Sequence, residues 1–220
     1  MNLANGLWPL TVVPLIALAA YRTRAVDRGG MLCGLCLGAL VATGLGWAGI
    51  AMLGTMLVLG TLASPRGARN RDWLQVASNG AMAAAAGGAA LCGAGWGFVA
   101  AAGALSAALS DTVSGELGRR LAANPRLMLV GPVVPAGTDG GMSFQGTLLG
   151  LLAAPLVPLA GGGFDPRSLV LLGLAGFCGN LCDSLVGLRI QSRLGRRGND
   201  WTNLVATVCG AIAGLLLLGA

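Results

Sequence analysis

The sequence predicts an all-α protein, a polytopic membrane helix bundle of about seven to eight hydrophobic segments with no soluble domain. Three observations carry this. Hydrophobic residues make up 55% of the 220 and charged residues only 10%, with a mean hydropathy of +0.76, whereas soluble domains carry about 25% charged residues. The charges are gathered into short clusters, and residues 31–63 and 73–110 contain none. The 38 glycines and abundant alanine suit helices that approach closely through small residues.

Residues 7–21 form the first apolar segment. It lacks a basic stretch before Leu7 and contains Pro9 and Pro14, so it reads as a first span rather than a cleaved signal. Arg22, Arg24, Asp27 and Arg28 follow. A spanning helix needs about 20 residues, with a range of about 17–25. The uncharged runs 31–63 and 73–110 are each too long for one span and are expected to hold two, hinged near Gly44–Gly49 and Leu91–Gly95. Between them stand Arg66, Arg69, Arg71 and Asp72. After them comes a polar stretch from Asp111 through Arg119, Arg120 and Arg126 to Gly141. Residues 142–164, 168–188 and 201–219 supply three more segments. Asp165 and Arg167 mark a minor break, and Arg189–Asp200 form the last charged cluster. The alternative is six or seven full spans with a re-entrant piece.

Two spans between successive Arg clusters put all four clusters on one side, which the positive-inside rule makes the cytoplasm. Both termini and the Asp165–Arg167 pair then face out. No domain boundary and no strand pattern interrupt residues 1–220, so the chain reads as a single integral membrane domain.

Composition also excludes chemistries. All fourteen cations are arginine, with no Lys and no His. That removes a P-loop lysine, a Schiff base, a histidine triad and a histidine metal site. A metal would be held by oxygen, which suits Mg²⁺ or Mn²⁺. The six cysteines lie in apolar segments, including Cys33 and Cys36 without thioredoxin-type context, and read as small apolar helix residues rather than a disulfide framework. Nothing suggests a nucleic-acid partner; the Arg clusters read mostly as topology determinants and contacts to anionic lipid.

The stretch Ala108–Gly118 organises the rest. Asp111 and Glu116 end a long uncharged segment, and carboxylates at the mouth of a membrane helix are costly unless they function. The same topology brings other polar islands to that side. Gln75 and Asn79 lie one turn apart; Gly137-Thr138-Asp139-Gly140-Gly141 leads through Ser143 into a helix; Asn180, Asp183, Ser184, Gly187 and Gln191 form a stripe; Asn199, Asp200, Thr202 and Asn203 open the last span. A glycine-rich loop entering a helix leaves N–H groups at a positive dipole end, an anion site. Asp111, Glu116 and Asp183 are candidates for divalent-metal ligation or proton transfer, against capping and pairing with Arg119 and Arg120. Asp111 and Glu116 diverge by about 140° on a straight helix, so both reach one metal only if Thr112–Gly115 is not helical. Asn79, Asn180 and Asn203 either bind ligand oxygens or join helices. Arg126 and Arg189 lie nearest the motifs as phosphate-binding arginines. The reading is one cytoplasm-facing site for phosphate and a divalent metal, with its motifs within residues 75–207. Asp111-Thr-Val-Ser-Gly and Asp183-Ser-Leu-Val-Gly also echo each other, each ending an apolar helix.

In this order the islands resemble the integral membrane family catalogued as domain of unknown function 92, which includes the plant phytyl-phosphate kinases. The matching stretches are Gln75-Val-Ala-Ser-Asn79-Gly80, Ser110-Asp111-Thr112-Val-Ser114-Gly-Glu116-Leu-Gly118, Pro125-Arg126-Leu, Pro135 to Ser143 with Gly146-Thr147, Gly179-Asn180 to Gly187 with Gln191, and Asn203 to Thr207. They cover residue 72 onward; the first 70 residues match only in hydropathy. Ser110, Gly115 and Asp139 depart from the usual pattern. The resemblance implies an Mg²⁺-dependent kinase that moves a phosphoryl group from a nucleoside triphosphate, CTP or ATP, to an isoprenyl monophosphate and gives the diphosphate. In that reading Asp111, Glu116 and Asp183 hold Mg²⁺, while Gly137–Gly141, Ser143, Asn79, Asn180, Ser184, Asn203 and Arg126 bind nucleotide and phosphate. The alternatives are an isoprenyl-alcohol kinase, a lipid cytidylyltransferase, a transporter of small anions or lipid phosphates, and a structural bundle. Oligomeric state is left open.

Overall fold

Long uncharged runs leave the backbone no partner in a bilayer except itself, so they become helices. The computed structural model describes residues 3–65, 70–121 and 124–220; Arg66 and Arg69 of the second cluster lie outside the described residues. Helix α1 (Leu3–Arg22) carries Pro9 and Pro14. Helix α2 (Arg28–Ala63) is 36 residues long and breaks at Gly46, whose φ of 62° and ψ of −148° only glycine adopts readily. The break falls within the stretch 44–49 where the sequence predicts a hinge.

The break makes α2 a hairpin. Its two arms, residues 28–45 and 47–63, are each about 26 Å long, close to the hydrocarbon core. Both outer ends meet at one residue. The Arg71 backbone exchanges hydrogen bonds with Ala25 and Asp27 ahead of the first arm, at 3.2 and 3.0 Å. Its guanidinium donates to the Gly60 carbonyl, Thr61 Oγ1 and Ser64 Oγ at the end of the second arm, at 3.0, 3.1 and 3.1 Å. The chain therefore enters and leaves α2 at the same level.

Helix α3 (Trp73–Leu91) starts at Asp72, whose carboxylate accepts from the Leu74 and Gln75 N–H groups. A tight turn at residues 92–96 leads to α4 (Gly97–Leu121). After α4 a short antiparallel ladder pairs β1 (Arg126–Leu127) with β2 (Gly141–Met142). The sequence shows no strand pattern here because two-residue strands carry no period. Helices α5 (Phe144–Ala153) and α6 (Leu156–Gly161) make one span, interrupted where Pro155 withdraws an N–H. Helix α7 (Pro166–Ile190), a 3-10 turn (Gln191–Arg197) and α8 (Gly198–Leu218) complete the chain. Among the described residues, counting the α2 arms separately, eight hydrophobic segments alternate in direction, and five helices are long and apolar enough to cross a membrane by length and composition.

The arginines of the described clusters gather at one end of the bundle, while Asp165 and Arg167 sit at the other. There Phe164 stacks on Phe98 at the start of α4, with ring centroids 4.9 Å apart. All five tryptophans are exposed near helix ends: Trp73 and Trp201 at the arginine end, Trp8, Trp47 and Trp96 toward the other. Amphipathic indoles favour the two interfaces of a bilayer.

Helix α4 is the axis. Residues 100–110 are all buried, because α2, α3, α5, α7 and α8 surround it. They are mostly Ala, Gly and Ser, which permits backbone contact: a Cβ on Gly210 would lie 2.5 Å from the Gly103 carbonyl oxygen, and one on Gly146 2.9 Å from the Gly118 Cα.

Asp165 caps α7. The Ser168 hydroxyl and N–H and the Arg167 N–H all donate to its carboxylate, and these bonds hold it below the ordinary carboxylate range. A depressed folded value gives stability that is full above the unfolded value of about 3.9 and disappears as pH falls through the folded one. The expected result is a flatter acid limb for Asp165→Ala than for the native protein in melting temperature against pH.

Candidate active site

A polar cavity of about 960 Å³ opens at the arginine end of the bundle. Small-molecule pockets run to about 1,000 Å³, so it has room for a nucleotide and a second phosphate group. Its walls come from the C-terminal ends of α1, α2, α4 and α7, the N-terminal ends of α3 and α8, and the 136–143 loop.

Asp111 on α4 and Asp183 on α7 face each other within hydrogen-bonding reach. Thr202 of α8 lies against the Asp183 carboxylate. The geometry follows from the two echoing motifs, each ending a span at the same level. Among the described residues, Asp183 Oδ1 and Asn203 Oδ1 are buried without a hydrogen-bond partner, a costly arrangement for acceptor oxygens.

Glu116 departs from its expected place. Residues 112–115 are helical, since α4 runs unbroken to Leu121. The 140° divergence therefore stands, and among the described residues no three acidic or thiol side chains converge as one metal-binding group. Glu116 instead pairs with Arg119 at 3.0 Å, and its charge acts on Arg71. Of the three carboxylates expected to share one ligand, Asp111 and Asp183 face each other and Glu116 does not join them.

Gly137, Thr138, Asp139, Gly140, Gly141 and Ser143 all line the cavity. The Thr138 and Gly141 N–H groups close turns within the loop, whereas those of Gly137, Asp139 and Gly140 make no backbone bond among the described residues. Gly140 has φ of +71°, and a Cβ there would meet the Leu188 Cβ at 2.8 Å, so only glycine lets the loop rest on α7. Asp139 adds a negative charge that Asp183 senses. Ser143 caps α5, accepting from the Gly146 N–H at 3.1 Å.

Asn79, Asn180, Ser184 and Asn203 also reach the cavity. Asn79 Nδ2 donates to the Gln75 carbonyl at 2.9 Å. Asn180 joins helices: its Nδ2 donates to Ser110 Oγ at 3.1 Å, and Ser110 Oγ donates to the Gly150 carbonyl at 3.0 Å. This buried relay ties α4, α5 and α7 together and gives the unusual Ser110 a structural reason. It also holds Asp111, the next residue, in place.

Arg126 is a correction. Its side chain is exposed, donates to the Gly131 carbonyl at 3.1 Å, and lies outside the cavity, as does Arg189. The ladder directs Arg126 outward. Among the described residues, the arginines that line the cavity are Arg24, Arg71 and Arg119. Sequence reasoning missed them by treating their clusters as topology signals. The available signals were position: Arg71 directly precedes the α3 cap, and Arg119 follows Glu116 by one turn. Burial pulls the Arg71 guanidinium below its ordinary value, and Glu116 opposes this; it stays charged at neutral pH. Arg71→Ala is expected to cost about 1–3 kcal/mol in a detergent unfolding titration, because it strips donors from the Gly60 carbonyl and its neighbours.

The donor chemistry fits a hard divalent cation. Among the described residues, four carboxylates (Asp111, Glu116, Asp139, Asp183) and three arginines line the cavity. The facing pair and the unpartnered Asp183 and Asn203 oxygens are hard oxygen donors of the kind Mg²⁺ takes.

Comparison with known proteins agrees with the architecture. The chain is 33% identical over 220 residues to an uncharacterized membrane protein of Methanocaldococcus jannaschii, covering 94% of this chain and 92% of that one. It is 34% identical over 114 residues to the chloroplastic protein VTE6 of Arabidopsis thaliana, covering 50% of this chain and 34% of that protein. An uncharacterized membrane protein of Synechocystis is 31% identical over 109 residues, covering 48% and 42%. No solved structure matches. The family model described as integral membrane protein DUF92 matches residues 11–211, and the chain belongs to that family.

Proposed function

We propose that this protein is a membrane phosphotransferase that moves a phosphoryl group from a nucleoside triphosphate, CTP or ATP, to an isoprenyl monophosphate, giving the isoprenyl diphosphate. The observation that carries the reading is the Asp111–Asp183 pair, placed in a cavity that also holds a glycine-rich loop and three arginines. The motif resemblance to the plant phytyl-phosphate kinases supports the substrate class. The arginine clusters support a cavity facing the cytoplasm, where nucleotides are present.

Phosphoryl transfer asks mainly for positioning and charge neutralisation. A monophosphate carries about −1.5 to −2 at pH 7 and is itself the nucleophile, so the absence of His and Lys is no obstacle. Arg71 and Arg119, both near Glu116, neutralise phosphate oxygens. Glu116 orients Arg119. The free N–H groups of Gly137, Asp139 and Gly140 bind the donor's phosphates. Asp111 and Asp183 would hold a divalent cation. A divalent cation held there would supply charge neutralisation at the phosphate oxygens. The Asn180–Ser110 relay fixes the helices that present the pair.

The test is the by-product. Purified protein with Mg²⁺ receives CTP, ATP, GTP or UTP separately, with farnesyl or geranylgeranyl monophosphate. The expected products are a nucleoside diphosphate and a lipid that has gained one phosphate. Pyrophosphate with a nucleotidyl lipid would make the protein a cytidylyltransferase, and phosphorylation of the prenol alone would make it an alcohol kinase. Counterflow of phosphate in liposomes without nucleotide consumption would make it a transporter.

A further inference from the structure

A second cavity, of about 110 Å³, lies among α1, the two arms of α2 and α3. Its walls are apolar except where Arg71, Gln75 and Asn79 line it, and these three residues also line the polar cavity. A slot that is apolar along its length and polar only at its junction with a phosphate-type site matches one ligand shape, an anionic head on a hydrocarbon tail. We infer that this slot holds the tail of the lipid phosphate whose head occupies the polar cavity; the inference rests on the phosphotransferase reading of that cavity.

The slot runs along one stripe of the first α2 arm. Near the junction a Cβ on Gly30 would meet the Arg71 carbonyl oxygen at 2.5 Å, so the chain is tight there. One turn further into the bundle Gly34 has nothing within 4 Å of an added Cβ, and Gly54 on the opposite arm is equally open. Another turn on, a Cβ on Gly38 would meet Val13 Cγ1 at 2.9 Å, which closes the far side. The stretch from Gly30 to Gly38 rises about 12 Å. A cavity of about 150 Å³ holds one benzene ring, so the slot, at about 110 Å³, encloses part of a prenyl tail. Its empty width is the missing side chains of Gly34 and Gly54, so these two glycines set which tails fit. Arg71 holds the junction from the polar side and ties both arms of the hairpin that forms the walls.

The experiment uses two readouts. Farnesyl monophosphate carrying a diazirine at its tail end is photolysed with the purified protein, and the labelled peptides are mapped by mass spectrometry. Labels are expected in α1, α2 and α3, competed by unlabelled farnesyl monophosphate and lost in Gly34→Leu and Gly54→Leu. Both leucines enter open space, and Gly34→Ala serves as a smaller change that keeps the fold. In turnover, the leucine variants are expected to raise KM for geranylgeranyl monophosphate by about tenfold and to leave the short dimethylallyl monophosphate unchanged. Labels confined to α5–α8, or labelling that farnesyl monophosphate does not compete, as for bulk lipid in the slot, would overturn the inference. Absence of transfer by the native protein to every acceptor would instead remove the phosphotransferase reading, while the labelling pattern still decides the slot.

Discussion

Asp111→Asn and Asp183→Asn are each expected to lower kcat/KM for phosphoryl transfer by about a thousandfold, or about 4 kcal/mol of transition-state stabilisation. The amide keeps the size and one carbonyl oxygen but loses the charge that binds a divalent cation. Stability is expected to move the other way. The two carboxylates face each other, and like charges in a medium of low dielectric repel unless a cation lies between them. Removing one relieves that repulsion, so the melting temperature of metal-free protein should hold or rise. Loss of activity together with loss of fold would point to a structural pair. Loss of activity with gain of stability is the signature of a site kept for function. Glu116→Gln is the contrast: the Arg119 ion pair goes, KM rises, and the loss is smaller because Glu116 stands apart from the facing pair.

Gly103→Val is expected to be the most damaging change outside the site. Gly103 and Gly210 bring α4 and α8 into backbone contact, each within reach of the other's carbonyl group. Two backbones cannot yield as a side chain does. A valine there forces the helices apart along the most buried stretch of α4, and overpacking of this kind costs about 3 kcal/mol. The separation carries to the site, because α4 presents Asp111 and α8 presents Asn203. The expected outcome is a large fall in thermal stability in detergent and broadening of the gel-filtration peak. Gly34→Ala, in open space, is expected to leave both nearly unchanged.

Much of this arrangement is legible in the sequence, because a bilayer enforces simple rules. Uncharged runs too long for one span had to fold back, and Gly46 and the 92–96 turn lie where those runs divide. Parity then collected the motifs at one end. Other features follow from geometry that sequence spacing does not contain. Whether Thr112–Gly115 stays helical decides the place of Glu116, and glycine alone did not unwind it, since α5 packs Gly146 against Gly118 and supports the helix. Arg126 turns outward because a two-residue ladder sets its direction. Arg71 reads as one of a cluster until both ends of α2 are seen to converge on it. The sequence leaves Asn180 open between binding a ligand and joining helices, because its partner, Ser110, stands seventy positions away on another helix.

The central claim is that the facing carboxylates of α4 and α7 form the metal-binding heart of the cavity. Its most direct test is Mn²⁺ binding by electron paramagnetic resonance, with purified protein titrated in the presence and absence of nucleotide. The account predicts saturable Mn²⁺ binding that nucleotide tightens, that Mg²⁺ competes away, that Asp111→Asn and Asp183→Asn abolish, and that Glu116→Gln retains. Binding that survives both aspartate substitutions, or that fails only in Glu116→Gln, would contradict it.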